Sequence, residues 1–259
     1  MLATASRGIV RYHRPSDTRQ AYRIDADGEV GRLDAPPYER VEVDLHDVRR
    51  LPEPPRFHAD GLKFVAVPPI PTPVPDDPVW RAVADAAVAD LLGRSIDAEE
   101  VLVFDHTVRV DDPASTRRPA RNVHTDYSPD GARARLADLL GAEEAARWEA
   151  GHYAFVNVWR PVGGVVHTAP LGFVRPSTVR PEDWVLLDLV YPHRTGQILG
   201  LTARTTHEWW VLSDMRPDEA AVFTVFDNRG RPPLAHSAID LPTDGPRRTS
   251  LESRALVRF

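Results

Sequence analysis

His124 and Asp126, in Arg121-Asn-Val-His-Thr-Asp-Tyr-Ser, and His236, in Leu234-Ala-His-Ser-Ala, are the side chains best suited to holding a metal. Two imidazoles and one carboxylate on one face of a metal leave the opposite positions open, the arrangement that suits non-haem Fe(II) sites using oxygen. Twelve residues after His236 stands Arg248-Thr-Ser250, a guanidinium and a hydroxyl placed where a co-substrate carboxylate can be held. The order of these parts points to oxidation that uses iron and 2-oxoglutarate.

His-x-Asp alone is weak, because a chain of 259 residues with 10 His produces about one by chance. His58-Ala-Asp60 is a second match. It is set aside because Gly61 follows directly, a proline-rich stretch lies close by, and no strand-like run leads into it. A His-x-Asp pair at a strand-to-loop boundary turns both side chains one way when the intervening Thr125 points away. Neutral imidazoles and one carboxylate leave bound Fe(II) with net positive charge and three open positions, two for a 2-oxo acid and one for O2. A distal carboxylate calls for a planar, permanently charged fork, hence Arg rather than Lys. Arg248 with Ser250 meets that need and Arg254 is the alternative, although an internal Glu252–Arg254 pair is the favoured reading of Arg254. Substrate contacts are expected among Arg109, Tyr127, Asn157, Trp159, Arg160, Trp209 and Trp210. An exposed strand charge is the plainer reading of Arg109. Trp209 and Trp210 should face opposite ways, one into the core and one towards a ligand. His106, His167, His193 and His207 have no partner at ligand spacing, and Asp214 and Glu219 read as turn-supporting residues.

A formal charge of −6 and a pI near 5.9 argue against binding a phosphate backbone. Cysteine is absent, which excludes disulfides, thiolate nucleophiles and Cys-ligated zinc. Lys63 is the single lysine, so no P-loop lysine motif is present. No apolar run reaches bilayer length, and Met1-Leu-Ala-Thr-Ala-Ser-Arg7 lacks the apolar core of a signal peptide. A cytoplasmic protein acting on a small molecule is expected.

The elements that must position these residues are mostly strands. Residues 1 to 75 read as edge strands and loops, ending in the polyproline-like Val67-Pro-Pro-Ile-Pro-Thr-Pro-Val-Pro75. Asp77 and Pro78 begin a helix that Gly93 should end, with Trp80, Val83, Ala84, Ala87, Val88 and Leu91 on its apolar stripe. Further helical patches run from Ala132 to Leu140 and from Glu143 to Ala150, broken at Gly141. Val101–Phe104, Val108–Val110, Tyr153–Trp159, Trp184–Val190, Trp209–Leu212, Ala221–Phe226 and Ala255–Phe259 read as strands. Short strands with Pro and Gly turns point to a mainly β fold, a double-stranded β-helix or jelly roll, with peripheral helices. The expected organisation is one oxygenase domain, 1–259, with its catalytic core in 100–259 and residues 1–99 packed outside it.

Phe104-Asp-His-Thr-Val-Arg109, His124-Thr-Asp126, Asn157-Val-Trp-Arg-Pro161, Ala169-Pro-Leu171, Asp188-Leu-Val190, Trp209-Trp210, Asp214-Met-Arg-Pro-Asp-Glu219, Phe226-Asp227, His236 and Arg248-Thr-Ser-Leu-Glu-Ser-Arg254 occur in that order. The series resembles the CmcJ/AsaB-type hydroxylase/desaturase family, over roughly residues 100 to 259. Its members are regarded as jelly-roll Fe(II)/2-oxoglutarate oxygenases of bacterial and fungal specialised metabolism. The resemblance implies His124, Asp126 and His236 as iron ligands, Arg248 as the 2-oxoglutarate anchor, and Fe(II), 2-oxoglutarate and O2 as cofactor and co-substrates. It implies hydroxylation or desaturation of a small metabolite, with release of succinate and CO2, and the aromatic and Arg residues expected around the site suit one that bears a carboxylate. Thr249 stands where the family more often has an acidic or amide residue, and Trp209-Trp210 where it has Trp then Tyr. The alternatives are a cupin-like metalloenzyme that does not use 2-oxoglutarate, a non-catalytic accessory subunit, and a β-sandwich carbohydrate binder.

Overall fold

Tyr153–Trp159 alternates as a strand should, yet almost every residue there is buried, so both of its faces must be covered. The computed structural model of the chain, which describes residues 4–25, 33–192 and 195–259, shows by what. Its strands are β1 (Thr4–His13), β2 (Gln20–Ile24), β3 (Leu33–Asp34), β4 (Tyr38–Asp47), β5 (Leu62–Ala66), β6 (Glu100–Val110), β7 (His124–Thr125) and β8 (Tyr153–Val162). They continue as β9 (Leu171–Val174), β10 (Trp184–Val190), β11 (Thr195–Leu201), β12 (Trp209–Val211), β13 (Glu219–Asp227), β14 (His236–Ala238) and β15 (Thr249–Arg258). The helices are α1 (Phe57–Asp60), α2 (Pro78–Ile96), α3 (Pro129–Leu140) and α4 (Ala142–Ala150). No helix among the described residues is long and apolar enough to cross a membrane.

Two sheets face each other in a jelly roll. The larger runs β1-β4-β12-β9-β14-β7-β11-β10-β2-β3 and the smaller β5-β13-β8-β15-β6. Between them lies one apolar core, with Phe155, Trp159, Phe223 and Leu256 from the smaller sheet against Phe173 and Trp210 from the larger. On the smaller sheet's other face, Val156, Val158, Val222 and Val257 pack under Leu92 and Ile96 of α2. Strand β8 is therefore buried on both sides.

Helix α2 packs outside the roll as expected, but the N-terminal strands do not. Strands β1 and β4 extend the larger sheet beyond β12, β2 lies parallel to β10, and β5 edges the smaller sheet beside β13. Short polar-flanked strands look peripheral in sequence, but their backbone groups complete ladders that β12, β10 and β13 would otherwise leave open.

Helix α2 starts where expected, with the Asp77 carboxylate accepting from Trp80 N at 2.9 Å and Pro78 in the first turn. It does not stop at Gly93 but runs to Ile96 and ends at Asp97 in a left-handed conformation, φ 60°. An interior glycine costs about 1 kcal/mol relative to Ala, whereas full burial of a Leu or Ile contributes about 1.5–3 kcal/mol, so Leu92 and Ile96 carry the helix through. The stripe also differs from expectation: Val83 is 64% exposed and Ala87 is exposed, while Leu92 and Ile96 are buried. In α3 the Ser128 hydroxyl caps Gly131 N at 3.0 Å. Gly141, φ 77°, makes the corner between α3 and α4 at the expected break.

Candidate metal centre and co-substrate recess

Among the described residues, the ligand atoms of His124, Asp126 and His236 form the group that all lie within 4.8 Å of one another. Sheet pairing brings them together: His236 on β14 is directly in register with His124 on β7, which is itself in register with Gly200 on β11. The two rings stand 4.6 Å apart between centroids. Glycine is required at 200, because a Cβ there would lie 2.4 Å from the ring of His13, which packs at that point.

Each imidazole is oriented in the same way. His124 Nδ1 donates to the carbonyl of Asn122 at 2.8 Å, and His236 Nδ1 to that of Leu234 at 3.1 Å. A carbonyl only accepts, so Nδ1 carries the proton and Nε2 is left as the ligand atom on both rings. Those Nε2 atoms lie 3.5 and 4.0 Å from Asp126 Oδ1. Burial, with the neighbouring His124, pushes His236 down to about 4, so it stays neutral. Burial opposes ionisation of Asp126, but His124, Arg254 and His236 outweigh it and hold the carboxyl well below its usual range. Two nitrogen lone pairs and an anionic oxygen thus converge, and a cation among them relieves their repulsion. The donor set fits Fe(II), with hard and borderline ligands and open positions.

The other oxygen of Asp126 is tied back by Asn157 Nδ2 at 2.8 Å and by Arg254 Nε at 3.5 Å. Arg254 is fully engaged. Its remaining N–H groups reach Asp105, Glu252 and Thr107, and these carboxylates raise its pKa despite burial. The Glu252–Arg254 pair read from the sequence is present. Thr125, 0% exposed, donates to Val225 O at 2.9 Å and pins β7 to the facing sheet.

Beside the triad lies a narrow recess, whose wall includes Arg109, Trp159, Leu171, Arg248 and Glu252. Arg248 is 4% exposed, and neither its Nε nor its Nη1 has a hydrogen-bond partner. Its guanidinium lies over the Trp159 ring at 5.0 Å. Burial and the nearby Arg109 and Arg121 push it down to about 9. The hydroxyl of Ser250, 1% exposed, is likewise unbonded. A buried cation whose donors lack partners costs several kcal/mol, so the unbonded Nε and Nη1 of Arg248 in the recess mark a place for an anion.

The other expected contacts divide. Trp159 lines the recess, and so does Arg109, 22% exposed, which is therefore not the exposed strand charge expected. Asn157 serves Asp126. Tyr127 stacks on Phe155 at 4.6 Å beside the ligands, and burial with Asp126 pushes it up to about 12. Arg160 does not reach the site: it donates to the carbonyls of Pro68 and Pro217 on the outer side of β8. Trp209 does not either. It is 0% exposed, with its indole N–H on Tyr12 OH at 2.9 Å. Trp210 faces the opposite way, as alternation requires, but is buried beside Phe173 in the core and away from the recess wall.

Three of the other histidines are engaged by partners of their own. His106 bridges Ser253 and Asp85, His207 lies between Tyr12 and Asp183, and His167 pairs with Asp214. His193 lies outside the described residues. His58 pairs with Asp97, while Asp60 caps Arg56 N, so the second His-x-Asp is no ligand pair. Asp214 adopts a positive φ of 46° and Glu219 accepts from Arg216 N, as turn-supporting residues do. Asp105 and Thr107 were missed as partners of Arg254, although their alternation with Arg109 on one strand was a usable signal.

A domain family described as YDMC, Oxidoreductase/YMDC permease-like domain, matches residues 10–258. The hydroxylase/desaturase efuI of Hormonema carpetanum is 30% identical over 199 residues, covering 65% of this chain and 67% of that protein. The alpha-ketoglutarate-dependent dioxygenase phiK of a fungal species is 30% identical over 189 residues, covering 66% and 68%. The solved structure of the iron and alpha-ketoglutarate-dependent endoperoxidase NvfI is similar in fold, with TM-score 0.81 and 25% identity over 98% of both chains.

Proposed function

This chain belongs to the CmcJ/AsaB-type hydroxylase/desaturase family, and from that premise we propose that His124, Asp126 and His236 hold its iron while Arg248 and Ser250 hold the distal carboxylate of 2-oxoglutarate. The protein is an Fe(II)/2-oxoglutarate-dependent dioxygenase that uses O2 and acts on a small molecule. Bound at these residues, iron, the 2-oxo acid and O2 supply oxidative decarboxylation to succinate and CO2, coupled to hydroxylation or desaturation at a substrate C–H bond.

The carrying observation is the buried Arg248, its Nε and Nη1 without partners, in the recess that the triad lines, with the unbonded Ser250 hydroxyl two residues further along the chain. A metalloenzyme without 2-oxoglutarate has no use for that cation, and an accessory subunit has none for the converging ligands. The chain's residues act by holding and orienting. The Nδ1 hydrogen bonds aim both imidazoles, Asn157 and Arg254 turn Oδ1 of Asp126 towards them, and Trp159 shields Arg248 from water.

Residues 1–259 are proposed to work as one oxygenase domain, because the N-terminal strands complete both sheets. A cytoplasmic setting, where 2-oxoglutarate and reduced iron are supplied, goes with that proposal. A carboxylate on the substrate would meet Arg117 and Arg118, exposed on the loop whose Ala120 lines the recess.

The test is an anaerobic titration of metal-free protein with Fe(II) and then 2-oxoglutarate. The weak visible charge-transfer band of a chelated keto acid is expected in wild type and not in His236→Ala, whose far-UV spectrum stays unchanged. Iron binding without the band would favour a metalloenzyme of another kind. Neither iron nor band would favour an accessory subunit.

A further inference from the structure

We infer that Arg109 is the second arginine of the co-substrate site, holding the carboxylate of 2-oxoglutarate at the metal end while Arg248 and Ser250 hold the distal one. The inference rests on the reading of the recess as a 2-oxoglutarate site. Arg109 stands on β6 directly across from Ser250 on β15, and its side chain enters the same recess. It is positioned but not neutralised. Nη1 donates to the backbone carbonyl of Arg118 at 3.1 Å, while the nearest carboxylate, Glu252, lies 3.9 Å away and already accepts from Arg254.

Its place along the strands separates it from Arg248. Arg248, Ser250, Glu252 and Arg254 follow one another on the inner face of β15 and its entry, and Arg254 touches the metal ligand Asp126. Arg109 reaches from opposite Ser250 towards Glu252, which puts it between Arg248 and Asp126. Asp126 is among the charges that act on Arg109, whereas those acting on Arg248 are Arg109, Asp111, Arg121 and Glu252.

Charge leads to the same assignment. The recess wall carries two guanidiniums, of Arg109 and Arg248, and two carboxylates, of Asp126 and Glu252, so its own formal charges cancel. A divalent metal adds two positive charges, and a dicarboxylate restores neutrality in a site too buried to leave them unbalanced. Two arginines fixed at different depths suit a linear dianion with a charge at each end. Their five-donor forks are preorganised for carboxylates.

Two keto acids test this on anaerobic Fe(II)-loaded protein: 2-oxoglutarate, and 2-oxobutyrate, which keeps the chelating end but lacks the distal carboxylate. Affinity is read from the charge-transfer band or by calorimetry, so turnover is not needed. Arg109→Gln is expected to weaken both acids by the same factor, roughly tenfold to a hundredfold, the size of one charge-assisted contact. Arg248→Gln should weaken 2-oxoglutarate alone. Arg109→Lys, which keeps the charge without the fork, should fall between wild type and Gln for both acids, and it decides the matter if the Gln variant does not fold. A loss confined to 2-oxoglutarate would place Arg109 on the distal carboxylate and overturn the inference. No loss with either acid would assign Arg109 to the oxidised substrate and overturn it equally. If wild type bound neither acid, the underlying reading of the recess would fail instead.

Discussion

At the scale of residues, the centre is defined by what each polar atom lacks or has. Ser253, His106 and Asp85 meet at 2.8 Å and 2.8 Å, the distances of a nucleophilic triad. Yet Ser253 is 2% exposed on the sheet face that α2 covers, where no carbonyl can reach it, so the array clamps helix to sheet. His124, Asp126 and His236 differ because their free lone pairs point at one another beside an open recess. Asn157 is the positioning residue that follows from this. Its amide holds the outer oxygen of Asp126 at 2.8 Å, and such supports are worth about 10–100-fold in metal affinity. Asn157→Ala is expected to weaken Fe(II) binding by that order, measured by anaerobic competition with a chelator, while far-UV circular dichroism stays unchanged. An unchanged iron affinity would show that Arg254 alone orients the ligand. His124 with Asp126, and Arg248 with Ser250, were legible as candidates because their chemistry needs few residue types at short spacing, and His236 because it stands ahead of Arg248 in the ordered series. Asn157's partner was not, because its amide meets a carboxylate 31 positions away.

At the scale of elements, strands of two and three residues do much of the positioning. β7 and β14 are too short to stand alone, and each is held by flanking strands and by a hydrogen bond from its histidine to its own loop. Helix α3 begins three residues after Asp126 and is seated on β11 through a close approach at Gly131. A Cβ there would lie 2.3 Å from the backbone carbonyl of Gln197, which cannot move aside as a side-chain tip can. Gly131→Ala is therefore expected to destabilise the fold by about 1–3 kcal/mol, the cost of overpacking, read as a lower midpoint in chemical denaturation. It should also loosen iron binding, since the segment from Asp126 to Ser128 leads into that helix. A midpoint equal to wild type would mean that α3 floats on the sheet. The helix cap at Asp77 was readable because capping is a contact within three residues. The true end of α2 was not, since Leu92 and Ile96 gain their burial from strands far along the chain.

At the scale of the whole molecule, the N-terminal third belongs to the sheets. A fragment starting at residue 100 lacks β1, β2, β4 and β5, and so leaves one edge each of β12, β10 and β13 unpaired and uncovers Trp209. Such a fragment is expected to aggregate or to unfold without cooperativity, as seen by near-UV circular dichroism and denaturation. A cooperative, iron-binding fragment would restore the division into a core from residue 100 and an outer segment. Acid should also unfold the metal-free protein early. His13, 0% exposed, is pushed down to about 4 by burial and by His124, and His236 to the same value. Between about pH 6.5 and 4 the unfolded chain takes up protons that the folded one refuses, so stability is lost as pH falls through that window and is level above it. Denaturation midpoints at pH 7.5, 5.5 and 4.5 with chelator present check this, and His13→Gln should flatten the slope. The sequence by itself pointed to the jelly-roll class, to His124, Asp126 and His236 as candidate ligands and to Arg248 with Ser250 as a candidate anchor, because alternation and the His-x-Asp and Arg-x-Ser spacings act over a few residues. Tertiary structure alone decided that residues 1–99 complete both sheets, that Arg109 turns into the recess, and that Trp209 and Arg160 turn away from it. Alternation assigns a strand two faces, and which of them becomes the inside depends on neighbours that arrive from distant parts of the chain.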